Sequence, residues 1–186
     1  MIWIEWDKSG EEPVSLGEVK RFLRLERDDE DAIVARCISA AREAVEAQTG
    51  LVLTERRLRL SFEADPARDR LALHRRPLRD VAEAIGYDEV GAAVPLEPAS
   101  FRLDPQPFGA WLHLPAGLAA RASNGVELEL RAGEAPDDVP EALKLAIVRL
   151  AGAAFETRGA VSLALQPAFM PPLARALIAP FRTPRL

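Results

Sequence analysis

The sequence predicts an α+β fold, with long packed helices from both ends of the chain, an antiparallel β-rich insertion between them and a C-terminal docking arm. Three patterns carry this reading. Apolar residues recur at helical spacing from Leu16 to about Gln48 and again from Leu143 to Phe155. Between these stretches the apolar period falls to two, as half-buried strands require. After Gly159 the composition changes again: no acidic residue remains, and five of the 15 prolines follow.

The first helix is placed at Leu16–Leu23. Ser15 can cap its open N–H groups, and Glu18 three residues later completes a reciprocal capping box. Leu16, Val19, Phe22 and Leu23 fall on one face. The acidic run Asp28-Asp29-Glu30-Asp31 is read as the start of a second helix, because carboxylates are favoured beside the partial positive charge of a helix N-terminus. Ile33, Val34, Cys37, Ile38, Ala41, Ala44 and Val45 form its apolar stripe, and Gly50 supplies a left-handed stop.

Strands are expected within 51–62, where Leu58, Leu60 and Phe62 alternate with arginine and serine, and at Leu71–His74, Val81–Tyr87 and Ala92–Leu96. Phe101–Leu103 and Ala110–Leu114 flank a turn, and Gly125–Arg131 alternates valine and leucine with charge. Short strands at this spacing point to an antiparallel sheet or a small sandwich. Helix returns with Pro140 in the first turn and a stripe through Leu143, Ala146, Ile147, Leu150, Ala151, Ala154 and Phe155. A last short helix is placed at Pro172–Ile178. The chain is read as one domain over 1–186: 13–50 helical, 51–135 the β-rich insertion, 138–158 the long helix and 159–186 the arm.

Composition bounds the function. The net charge is −5, with +3 on residues 159–186 and −8 on the rest. Nonspecific DNA binding draws on neutralised phosphates and favours basic proteins, so the chain is not expected to grip DNA. No signal peptide or membrane span is expected. With Cys37 alone, no internal disulfide can form, which fits synthesis in a reducing cytoplasm. His74 and His113 lack companions at zinc-ligand spacing, Cys37 lies in an apolar stripe, and no phosphate loop or nucleophile elbow is present. No catalytic residue, metal or cofactor is assigned. Trp3 and Trp6 have two readings, a terminal strand packed on the sheet or a partner-binding surface.

In order along the chain, several blocks resemble the head–tail connector proteins of tailed phages, also found in prophages and gene transfer agents. They are Pro13-Val14-Ser15-Leu16-Gly17-Glu18-Val19-Lys20-Arg21-Phe22-Leu23-Arg24-Leu25, the acidic run to Ile33, Ala40–Glu46 with Thr49-Gly50, and Leu73–Leu78 around Arg76-Pro77. Asp138–Ile147, Phe155-Glu156-Thr157-Arg158 and Ala179-Pro180-Phe181-Arg182 continue the likeness. Thr183–Leu186 extends beyond the family's usual stop.

The resemblance implies a non-enzymatic adaptor made in the bacterial cytoplasm and carried in the virion. It would form a ring, commonly dodecameric, on the portal protein, extend the DNA channel without specific DNA binding, and receive the next tail-side (stopper or head-closure) protein. The arm is then expected to dock on the portal through Leu173, Leu177, Ile178, Phe181, Arg182 and Arg185, while for Trp3 and Trp6 the packed strand and the contact surface stay open as alternatives. Alternatives are an unrelated protein-interaction module and an unrecognised hydrolase. A competing view of the arm is that it folds back on its own acidic body.

Overall fold

The computed structural model describes residues 1–5, 10–157 and 170–182. Eight strands and five α-helices are present among them: β1 (Ile2–Glu5), α1 (Leu16–Leu23), α2 (Asp31–Thr49), β2 (Arg56–Phe62), β3 (Arg70–Leu73), β4 (Leu78–Tyr87), β5 (Ala93–Pro95), β6 (Arg102–Gln106), β7 (Gly109–His113), α3 (Leu118–Arg121), β8 (Val126–Ala132), α4 (Glu141–Glu156) and α5 (Pro172–Ile178). The mixed α+β class is as expected. Where the sequence is read as one domain, the chain divides into two compact units. One is built from 1–10 and 54–133, the other from 11–53 and 134–186.

The first unit holds two antiparallel sheets, ordered β1-β2-β8-β4-β5 and β3-β7-β6. The last strand made, β8, is the middle of the larger sheet, between β2 and β4. The period-two pattern decides which face is buried. Leu58, Leu60 and Phe62 of β2 and Val126, Leu128 and Leu130 of β8 point inward, none more than 6% exposed. Arg57, Arg59, Glu127 and Arg131 take the other face. Two irregularities in the β4–β8 register, at Leu78/Asp80 and Val81/Glu83, re-aim the first half of β4.

In the second unit α4 packs against α1, α2 and α5. Val34, Ile38, Ala41 and Val45 of α2 meet a core that includes Leu143, Ala146, Ile147, Leu150 and Phe155 of α4. The Ser15–Glu18 capping box forms as expected, with the Glu18 carboxylate accepting from the Ser15 N–H and hydroxyl, both at 2.7 Å. Those bonds favour the charged form and hold Glu18 below its ordinary pKa. Gly50 caps α2 with φ 72°.

The acidic run starts α2 as expected, with Glu30 at the N-cap and Asp31 in the first turn. Asp28 and Asp31 also accept from the Lys20 ammonium, tying the loop back to α1. One local expectation is corrected. Pro140 stands at the N-cap of α4, one residue before the first turn, with extended ψ of 136°. A proline biases the residue before it away from helix, and here the proline's own extended backbone also delays the start.

A buried polar network fixes both ends of α2's surroundings. Arg42, 7% exposed, donates to Glu12 and to Glu46, each at 2.9 Å. Ser39 donates to the other Glu12 oxygen, and Glu46 accepts the Leu53 N–H at 2.7 Å. The entering segment and the departing one are thus clamped to the same helix.

Candidate assembly surfaces

The arm lies partly in the second unit's own core. Met170, Ala174 and Ile178 recur every fourth residue and are 6%, 0% and 1% exposed. Ile178, expected on the docking face, is therefore a core residue of its own unit. Of the i, i+4 pairs on α5, Ala174/Ile178 enters the core cluster shared with α2 and α4, whereas Leu173/Leu177 does not become fully buried. Leu173 is 46% exposed and Arg182 is exposed, whereas Leu177 and Phe181 pack at the rim of the core. Arg185 and Trp6 lie outside the described residues.

Trp3 sits in β1, opposite the fully buried Leu60 of β2, and is half-buried. Its neighbours Ile2 and Ile4 alternate to the outer face and are 63% and 47% exposed. They adjoin a ladder of charges on that face. Arg57 pairs with Glu129 at 2.6 Å, Arg131 with Asp80 at 2.8 Å, and Arg59 lies 3.8 Å from Glu127. The Tyr87 hydroxyl donates to Glu127 at 3.3 Å; burial, then that carboxylate, pushes the phenol's pKa up. Acid and base interleave here, so the face presents no single-sign field.

Sequence reasoning missed other exposed apolar side chains, among them Val90, Phe108 and Phe22. Val90, 88% exposed, is held on the β4–β5 hairpin by the Asp88 carboxylate, which accepts from the Val90 and Ala92 N–H groups. Phe108 crowns the β6–β7 hairpin under the Arg76 guanidinium, 5.4 Å from its ring centroid. In the second unit Phe22 was expected in the α1 core face but is 46% exposed. Its ring lies against Gly152 of α4, below Arg149, so α4 supports the ring without covering it. The turn residues around positions 90 and 108 were visible in sequence, but a turn does not disclose which side chain it presents.

The residues first considered for chemistry stay apart. His74 is exposed, His113 is half-buried with Nε2 unpartnered among the described residues, and Cys37 is half-buried in the other unit. Among the described residues no group of three or more histidines, cysteines, aspartates or glutamates is placed to hold a metal. No described helix is long and apolar enough to cross a membrane. A cleft of about 580 Å³ in the first unit has a mixed lining that includes Met1, Ile2, Phe62, Glu63, Arg68 and Tyr87.

Residues 13–89 match the family model for phage gp6-like head-tail connector proteins. The resemblance to head–tail connectors is borne out. The match begins at the capping box and runs through α2, the Glu12–Arg42–Glu46 clamp's helix, and on to the end of β4. In three-dimensional comparison, chains of gene transfer agent particles are similar to this chain over its whole length. The neck of an empty gene transfer agent particle, computed with C6 symmetry, contains a chain 26% identical with a TM-score of 0.77, covering 100% of this chain and 97% of that one. A chain in the virion of the native gene transfer agent particle is 25% identical with a TM-score of 0.76 and the same coverage. The neck of the native particle, computed with C12 symmetry, gives the same three values. No curated protein matches the sequence.

Proposed function

We propose that this protein is a structural connector of a phage-like or gene transfer agent particle, assembled as a ring on the capsid portal and receiving the next tail-side protein. The observation that carries the reading is the likeness over the full chain to proteins in gene transfer agent necks, together with the connector-family match over 13–89. A ring of this chain, dodecameric when complete, would extend the DNA channel. A net charge of −5 per copy suits that task, because acidic walls repel phosphate and let DNA pass without specific binding. No enzymatic step belongs to this role.

Within this reading the arm docks on the portal through Leu173, Phe181, Arg182 and Arg185, with Leu177 and the buried Ile178 holding α5 in place. Aromatic and arginine anchors dominate contacts of this kind, at roughly 2 kcal/mol or more each. The test is particle production in cells whose only copy carries Leu173→Asp and Arg182→Glu. The expected product is DNA-filled heads without tails, from a protein whose thermal unfolding matches wild type. Normally tailed particles would remove the arm from the portal contact.

A further inference from the structure

We infer that the edge of β1, which no strand covers among the described residues, is completed by a strand from a second copy of this chain, an inference that rests on the ring reading above. The edges of the first unit's sheets are not treated alike. On β5, Leu96 donates its N–H to Ala84 and the Ala92 carbonyl accepts from Asp88, so even-numbered residues turn toward β4 and odd-numbered residues outward. Pro95 therefore stands at an outward position, where it offers no N–H. The outer strand β6 carries Pro105. Both are devices that stop further pairing.

β1 has neither device. Its sequence is Ile-Trp-Ile-Glu, without proline, lysine or arginine, and it ends the five-stranded sheet. Ile2 and Ile4 are 63% and 47% exposed, and Met1 beside them is 59% exposed. An unblunted apolar edge is a template for strand addition, in which main-chain bonds give affinity and alternate side chains give fit.

The symmetry of the similar necks selects a second copy as occupant, and ring geometry and charge set how it would join. The similar neck structures were computed with sixfold and twelvefold symmetry, so equivalent copies recur around an axis there. A closed ring of more than two copies is built head to tail, from an acceptor patch and a different donor patch. Copies that each carry −5 repel one another, and strand pairing between backbones needs no opposite charge. The donor is a segment other than β1, because β1 pairing with β1 would close as a twofold pair.

The experiment replaces Ile4 with the photo-crosslinker benzoylphenylalanine in the full chain and irradiates assembled particles. The expected result is an adduct of twice the chain mass whose peptide map joins position 4 to a segment outside β1. In parallel, Ile2→Lys with Ile4→Lys should keep the wild-type melting profile and lose incorporation into particles. If the crosslinker protein is in the particle but yields no self-adduct, joins another protein, or joins β1 to β1, the inference is overturned while the connector reading stands. If the wild-type protein is absent from purified particles, the connector reading falls and takes this inference with it.

Discussion

Replacing Arg42 with alanine tests the polar clamp of the helical unit. The change removes a guanidinium that is 7% exposed and bonded to Glu12 and Glu46, the latter 2% exposed. Breaking a buried ion pair from one side costs about 3–5 kcal/mol, since the remaining carboxylate keeps its desolvation and loses its compensation. At a urea m-value of about 1.5 kcal/mol/M, that lowers the midpoint by roughly 2–3 M. The two units can be followed separately. Trp3, Trp6 and Trp111 all belong to the residue ranges of the β-rich unit, so fluorescence reports that unit, while circular dichroism at 222 nm follows the helices. The dichroism transition should move by the full amount. Glu141→Ala, which cuts an ion pair whose carboxylate is 87% exposed, should move it by less than about 0.5 kcal/mol. If Arg42→Ala costs as little as Glu141→Ala, the clamp is not a buried network and its role in holding Glu12 and Leu53 is refuted.

Ile178→Ala should destabilise the same unit by about 2–4 kcal/mol by opening a core cavity, whereas Leu173→Ala should cost under about 1 kcal/mol; equal costs in urea titration would contradict the assigned face of α5. The capping box should be pH-dependent. Because Glu18's folded pKa lies below its ordinary 4.5, its contribution is present above that value and fades as pH falls through the folded value. The stability gap between wild type and Glu18→Gln should therefore narrow between pH 6 and pH 3, and a gap that widens would refute the assignment. Gly133→Ala should destabilise the β-rich unit by about 2 kcal/mol or more, because φ is +100° and a Cβ would strike the Thr54 carbonyl; fluorescence-detected unfolding measures it. Changing His74, His113 and Cys37 together to alanine should leave particle assembly intact, and loss of assembly by a folded triple variant would reveal a site.

Much of the fold was legible because local chemistry and tertiary packing agree. α1 and α5 occupy the expected residues, and the strands lie within a few residues of their alternating runs. Where local signals compete, the reading slipped. The acidic run 28–31 marked the start of α2, but it did not disclose that Lys20, eight residues before Asp28, would bind both Asp28 and Asp31. The four-residue α3 buries only Leu118, too little for a period to register. The boundary between the units at 53/54 leaves no trace in composition, since Leu53 and Leu58 are equally apolar and enter different cores. On the arm, the larger leucines drew attention to Leu173/Leu177, although burial followed the smaller Ala174.

The position of β8 has a consequence for synthesis. During translation β2 and β4 emerge long before the strand that joins them, and β2 pairs with residues about seventy positions downstream. Until Val126–Ala132 leaves the ribosome, the inward faces of Leu58, Leu60 and Ala84 have no central strand to lie beside. The nascent chain must therefore carry an unfinished apolar sheet through about a third of its elongation, from Phe62 to Val126. Prematurely terminated products ending before residue 126 should be aggregation-prone substrates for chaperones and proteases rather than smaller folded proteins.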